Sequence, residues 1–125
     1  MNINPVVKIV ASEFWLNGKL ACPCCVLFIV FRNHDCLQAL FNDEFEIWEV
    51  KGTHKVPDFV SPEHVTEYYY PYKDYTPNDM NDIGTLASYS VLDRTRLDLA
   101  FSKGVNVRLI YNEDSEETSI QVEST

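Results

Sequence analysis

The chain has 125 residues and a mass of 14.4 kDa, with 46% hydrophobic residues and a formal net charge of −9. This apolar content excludes wholesale disorder and is enough for a core without disulfides or metal. The longest apolar run, residues 20–31, is shorter than the roughly 20 residues of a membrane-spanning helix. No basic cluster precedes an apolar N-terminal stretch, so we expect no secretory signal, no membrane association and a cytoplasmic location.

The acidic residues are concentrated in the second half of the chain. Residues 1–60 carry five basic and seven acidic side chains, whereas residues 61–125 carry five and twelve. Nucleic-acid affinity rests on basic side chains that neutralise phosphates, so direct binding to nucleic acid is disfavoured. The same negative field raises the encounter rate with a positively charged protein, although solubility alone is the plainer interpretation.

The first half of the chain predicts a hairpin followed by a central strand. Asn17-Gly18 lies between two apolar segments, and this dipeptide favours the tight turn of a hairpin. Residues 24–31 lack polar alternation and are rich in β-branched and aromatic side chains, as is typical of a strand buried on both faces. Asp35 is a suitable N-cap for a short helix over residues 36–41, and a strand is expected to resume at 45–50.

The middle of the chain predicts helices and irregular structure. Four of the six prolines lie in residues 53–82, where Ser-Pro-Glu at positions 61–63 predicts a short helix to about residue 70. A second helical segment is expected from residue 81 or 82 to 103, with a break near Asp93. Gly104 then stands where a left-handed C-cap would end that helix.

The end of the chain predicts a β-hairpin. Residues 105–111 alternate between apolar and polar side chains, and an acidic turn at 112–117 leads to a last strand at about 119–123. Together these elements predict one α+β domain over residues 1–125. We expect a mostly antiparallel sheet with two or three helices packed on one side.

The four cysteines allow two interpretations. Cys22 and Cys25 have the spacing of a zinc knuckle, and His34 with Cys36 would complete a tetrahedral ligand set. The pair leads directly into an apolar strand, however, and free cysteine behaves as a small buried hydrophobe. Core packing of Cys24, Cys25 and Cys36 is therefore favoured, and no metal or other cofactor is expected. The zinc site remains the alternative.

No catalytic motif is present in the sequence. The three histidines lack a catalytic setting, and no serine lies in a Gly-x-Ser-x-Gly elbow. The four glycines are too scattered to form a phosphate-binding loop. We therefore expect a binding protein and no enzymatic activity.

Five of the seven tyrosines lie between positions 68 and 75, next to several acidic residues. Tyrosine offers a large contact area at low entropic cost, so protein interfaces are enriched in it. An arginine or lysine of a basic partner could pair with the acids and stack on the rings. The other interpretation is that three of the tyrosines are core or semi-buried residues. The predicted partner-binding residues are Glu67, Tyr68, Tyr69, Tyr70, Tyr72, Asp74, Tyr75, Asp79 and Asp82.

Tyr69-Tyr70-Pro71, followed by Asp74, Asp79 and Asp82, resembles the Tyr-Tyr-Pro segment of nuclease-colicin immunity proteins. The resemblance covers about a tenth of the chain, and those proteins are shorter and all-helical. It implies a small immunity or inhibitor protein that neutralises a cognate toxin, expected to be a basic nuclease, with Tyr69 and Tyr70 as buried anchors. The alternatives are a nucleic-acid mimic that inhibits a defence complex, and a small zinc-binding or scaffold domain.

Overall fold

The computed structural model describes residues 5–16, 19–33, 35–42, 44–53, 72–76 and 83–124. Side chains at 13–16, 20–25, 53, 72 and 124 are outside the description. Nine strands account for most of the described residues: β1 (Val6–Leu16), β2 (Lys19–Phe31), β3 (Cys36–Asn42), β4 (Ile47–Thr53), β5 (Tyr72–Asp74), β6 (Leu86–Leu92), β7 (Arg96–Phe101), β8 (Val105–Asn112) and β9 (Glu117–Ser124).

The strands form two antiparallel sheets. The first sheet has the order β4-β3-β2-β1-β5, and the second has the order β6-β7-β8-β9. Leu16 pairs with Lys19, which confirms the hairpin predicted from Asn17-Gly18. The second sheet is a meander in which each strand pairs with the next along the chain. The predicted strands at 45–50 and 105–111 and the C-terminal hairpin are also confirmed, with small shifts of their boundaries.

The two sheets pack face to face around one apolar core. Alternate residues of β7 and β8 supply its second-sheet half, and β1 to β4 supply the other half. An irregularity in the pairing of β1 with β2 between Val6 and Lys8 lets Val6 and Ile9 face the same core although they are three residues apart. The main buried contributors are Val6, Ile9, Leu27, Ile29, Phe31, Trp48, Leu97, Leu99, Phe101, Val105, Val107 and Leu109.

The middle strand of the first sheet, β2, is buried on both of its faces over residues 27–31. Leu27, Ile29 and Phe31 belong to the core between the sheets, whereas Phe28 and Val30 form a second buried cluster with neighbouring apolar residues. The described part of the run therefore confirms the prediction of a central strand covered on both sides, because a run without alternation must bury both faces.

The predicted α+β class is wrong for the described residues, which contain strands and turns and no helix. The expected helix at 36–41 is strand β3, which lies between β2 and β4. Asp35 therefore caps no helix there. Its side chain accepts a hydrogen bond from the Asn33 amide in the β2–β3 turn. The expected helix at 61–70 lies outside the described residues.

The helix expected from 81 or 82 to 103 is also wrong over its described part. Strands β6 and β7 occupy it, separated by a turn at residues 93–95. The break expected near Asp93 does occur, with Asp93 and Arg94 at φ of 50° and 64°. Gly104 has the expected positive φ of 84°, but it lies in the turn between β7 and β8. Leu97, Leu99 and Phe101 alternate with polar or small residues, which is the period of a strand. The segment forms a strand and not a helix because neighbouring strands complete its backbone hydrogen bonds.

No helix in the described part of the chain has the length and apolarity needed to cross a membrane.

Candidate functional site

Most of the predicted tyrosine segment is outside the described residues. Glu67, Tyr68, Tyr69, Tyr70, Asp79 and Asp82 are among those outside. Tyr72 and Asp74 lie in the short edge strand β5, which pairs with β1. Asp74 is exposed and accepts a hydrogen bond from the backbone of Thr76 (2.8 Å). Tyr75 is half-buried against the main core, with the Lys73 ammonium 5.2 Å from its ring centroid.

The strand register does not bring Cys36 together with Cys22 or Cys25. Cys36 pairs with Val30, which is five residues along β2 from Cys25 and eight from Cys22. At a rise of about 3.3 Å per residue, these separations are roughly 17 Å and 26 Å. Zinc–sulfur bonds are only about 2.3 Å long, so the register does not place Cys36 in one zinc site with these cysteines. His34 lies outside the described residues.

The Cys36 thiol itself is buried, and burial raises its pKa to about 11, against a weaker lowering by a backbone hydrogen bond. A thiol with such a pKa stays protonated at neutral pH, which disfavours nucleophilic reactivity. Within the described ranges, no group of three or more histidine, cysteine, aspartate or glutamate side chains is placed to hold a metal ion.

Three turns meet at one end of the sandwich and place many carboxylates there. They are the β3–β4 turn, the β6–β7 turn and the β8–β9 turn. Their described charged residues are six acids and one base, a formal charge of −5. We call this end the acidic pole. It comprises Glu44, Phe45, Glu46, Asp93, Arg94, Glu113, Asp114, Ser115 and Glu116.

Two of the turns are built in the same way. Asn42 Oδ1 accepts hydrogen bonds from the backbone N–H groups of Glu44 (2.9 Å) and Phe45 (3.1 Å). Asn112 Oδ1 likewise accepts from the backbones of Asp114 (2.9 Å) and Ser115 (3.2 Å). This is the usual way in which asparagine stabilises a turn. The acidic side chains of both turns are exposed.

The side-chain amide nitrogen of Asn42 is also hydrogen-bonded. Asn42 Nδ2 donates a hydrogen bond to Glu49 Oε1 on β4 (2.9 Å), which fixes the orientation of the amide. This bond is the main reason that the pKa of Glu49 is lowered, with a further contribution from Lys51. The turn is therefore tied to its own strand pair through a side-chain network.

Arg94 and Trp48 connect the turns of the two sheets. The Arg94 guanidinium donates to the carbonyl groups of Phe45 and Glu46 in the β3–β4 turn. In the other direction, the Trp48 backbone donates to the Arg94 carbonyl (3.1 Å), and the Trp48 indole donates to the Thr95 carbonyl (2.7 Å). The one described cation of the acidic pole is thus engaged in holding the turns together.

Three aromatic rings pack against one another beside the turns of the acidic pole. Phe41 stacks on Tyr111 with centroids 3.9 Å apart and an interplanar angle of 12°, and it contacts Trp48 edge to face at 5.7 Å. Phe41 and Tyr111 immediately precede the two turn asparagines in the chain. The Tyr111 backbone donates to the Thr95 carbonyl (2.8 Å), which also accepts the Trp48 indole. This packing gives the exposed turns a rigid base.

An apolar side chain projects from the acidic pole. Phe45 is 59% exposed, the largest value among the described large hydrophobic residues that are exposed. It lies between Glu44 and Glu46, in a turn whose backbone is held by Asn42 and Arg94. An exposed ring flanked in the chain by two carboxylates combines a hydrophobic anchor with electrostatic attraction for a cation-bearing partner.

The outer face of the second sheet carries a different polar groove, with a volume of about 300 Å³. Its floor holds Asp98, which accepts two hydrogen bonds from Arg96 (3.1 and 2.7 Å) and one from Arg108 (3.2 Å). Hydrogen bonding to Arg96 is the main cause of the lowered pKa of Asp98. The two positive charges of Arg96 and Arg108 balance the two negative charges of Asp98 and nearby Glu123. A basic partner is therefore attracted less strongly to this groove than to the acidic pole.

The residues of the acidic pole were absent from the predicted binding set. A sequence signal does exist, because residues 42–46 and 112–116 both consist of an asparagine followed by acids and one other residue. The meeting of these two segments with Asp93 could not be seen, because Asp93 was expected at a break in a helical segment and not in a turn between two strands.

Comparison of the chain with protein families, with curated proteins and with solved structures gives no match.

Proposed function

We propose that this chain is a bacterial immunity or inhibitor protein that acts in the cytoplasm by binding and neutralising a basic toxin, a nuclease being the favoured class. The observation that carries the proposal is the acidic pole, where three turns present six exposed carboxylates, two of them on the residues that flank the exposed Phe45. The overall charge of −9 supports the same partner chemistry. Such a protein acts by occlusion and needs no catalytic group of its own.

Two properties of the acidic pole suit it to this role. Its turns are held by asparagine side chains, by Arg94 and by the aromatic base, so little conformational entropy is lost when a partner binds. Its carboxylates steer a cationic partner, and desolvation of the Phe45 ring adds short-range affinity. The tyrosine segment at 67–82 is the second part of the proposed surface, and it rests on the sequence pattern alone.

The test is co-expression of the chain with the product of the adjacent gene, because immunity genes ordinarily adjoin their toxin genes. Native mass spectrometry should detect a one-to-one complex, and the chain should abolish the toxic activity of the neighbour's product. Association should slow as salt is added. A complex that forms with a nucleic-acid-binding protein and is displaced by DNA or RNA would instead favour a nucleic-acid mimic.

Glu113→Lys and Glu123→Lys form a matched pair for this experiment. Both residues are exposed and both changes alter the net charge equally, but only Glu113 belongs to the acidic pole. We expect Glu113→Lys to slow association several-fold at low salt and Glu123→Lys to have a smaller effect. Equal effects of the two variants, or no complex with the neighbour's product, would contradict the proposal.

A further inference from the structure

The β6 edge of the second sheet has a composition that distinguishes it from the other sheet edges. Strand β6 is the first strand of the order β6-β7-β8-β9, so its outer edge has no strand neighbour among the described residues. Its seven residues, Leu-Ala-Ser-Tyr-Ser-Val-Leu, include no charge and no proline. The other edge strands all carry charge: β4 and β9 contain glutamates, and β5 contains Lys73 and Asp74.

An uncharged edge strand invites pairing with another strand. Edge strands present unpaired N–H and C=O groups, and proteins that avoid pairing protect them with charges, prolines or cover. Residues 87–90 of β6 are all exposed, and Tyr89 is 47% exposed. Within the described ranges, the one protective device at this edge is an irregularity of pairing between Leu86 and Ser88, which lies at the start of the strand.

The sequence of β6 is symmetric about Tyr89. Serines flank it on both sides, and the small apolar residues Ala87 and Val91 follow outward. If two copies pair antiparallel with Tyr89 at the two-fold axis, each serine faces a serine, each Ala87 faces a Val91, and the two tyrosines face each other. Direct cross-strand pairs share one face of a sheet, and aromatic pairs of this kind stabilise it. A two-fold interface requires such self-complementarity.

We infer that β6 is a homodimerisation edge, through which two copies of this chain join their second sheets into one continuous eight-stranded sheet. The geometry also limits the repulsion between two chains of charge −9. Antiparallel pairing directs the two acidic poles to opposite ends of the paired strands. A seven-residue strand is about 24 Å long, which exceeds the screening length of about 8 Å at physiological salt.

The pairing of one short edge buries little area, so we expect a weak, reversible dimer. Its salt dependence is the opposite of that expected for the toxin complex. Added salt screens the repulsion between like-charged copies and should strengthen the dimer, whereas it should weaken binding to a basic partner. Sedimentation equilibrium over a range of protein and salt concentrations measures this directly.

A cysteine pair tests the register. Tyr89→Cys places two thiols opposite each other at the axis, where Cα atoms of paired strands are about 4.5–5.5 Å apart and a disulfide is feasible. Leu92→Cys lies on the same strand and is also exposed, but its two copies would be about 20 Å apart. Mild oxidation should give a covalent dimer of Tyr89→Cys well above the wild-type background, and none of Leu92→Cys.

Tyr89→Lys supplies the solution test, because it sets like charges opposite each other at the axis. It should weaken the dimer at least about tenfold. Ser119→Lys, at an exposed residue of β9 on the opposite edge of the second sheet, makes the same charge change away from β6 and should leave the dimer in place. The inference is overturned if the wild type stays monomeric at every concentration and salt level, if Leu92→Cys cross-links as well as Tyr89→Cys, or if both lysine variants behave alike.

Discussion

Replacing Gly84 with alanine should destabilise the protein, because both the backbone conformation and the surroundings of Gly84 exclude a Cβ atom. Gly84 lies two residues before β6, is buried, and has a φ of 82°. Its carbonyl accepts a hydrogen bond from the Val6 backbone (2.8 Å), so it connects the start of β1 to the second sheet. An added Cβ would lie 2.0 Å from Ser102 Oγ and 3.1 Å from the Lys103 backbone nitrogen. The first distance is a severe overlap.

The cost of Gly84→Ala follows from these two features. The left-handed conformation costs a residue with a Cβ about 1–2 kcal/mol. Ser102 Oγ must also move, which breaks its hydrogen bond with the Thr85 N–H (2.9 Å) at a cost of about 1 kcal/mol. We therefore expect the free energy of unfolding to fall by about 2–3 kcal/mol, measured by urea denaturation with an unchanged slope.

Gly52→Ala is the matched control. Gly52 lies in the edge strand β4, is exposed, and its added Cβ would meet only Leu37 Cδ2 at 3.8 Å, an ordinary contact. We expect this change to be neutral or stabilising by about 0.4–1 kcal/mol, because alanine reduces the entropy of the unfolded chain. If Gly84→Ala is no more destabilising than Gly52→Ala, neither the left-handed conformation nor the overlap with Ser102 restricts this position to glycine.

Three further predictions concern stability and reactivity. Trp48→Phe removes the indole hydrogen bond at the acidic pole and part of the aromatic base, and it should cost about 2 kcal/mol in a thermal or urea melt. Asp98→Asn should cost about 1 kcal/mol at neutral pH. The folded-state pKa of Asp98 is lowered, so its carboxylate stabilises the wild type above the unfolded-state pKa, and the variant's deficit should vanish as pH falls through the folded-state value. Cys36, with a pKa of about 11, should resist alkylation at pH 8 in the folded protein and react on unfolding, as followed by mass spectrometry of its peptide.

The hairpins and the central strand could be predicted because their signals are local. Asn17-Gly18 specifies a tight turn by its backbone preferences, and the β-branched run at 24–31 specifies a strand without reference to distant residues. The alternation at 105–111 specifies which side chains of β8 enter the core. These elements were correct because local propensity and final environment agree.

The helix predicted from residue 81 or 82 to 103 is wrong because the apolar pattern there is compatible with both the helical and the strand period. Leu86, Leu97 and Phe101 fit an amphipathic helix when read alone, but Leu99 completes a period of two along β7. The turn at Asp93 and Arg94 uses positive φ at residues other than glycine, so the sequence indicates a break there but not the turn between two paired strands. Strand identity here depends on hydrogen bonds from β8, which are formed only in the folded sheet.

The net charge, the uncharged and symmetric composition of residues 86–92, and several of the turns can be recognised without the fold. That residues 44–46, 93–94 and 113–116 share one end of the sandwich, and that β6 lies at an edge among the described strands, is visible only in the folded chain. Composition and turn propensity act within a few residues. Which turns meet, and which strand lacks a neighbour, follow from the way two sheets bury a common apolar face.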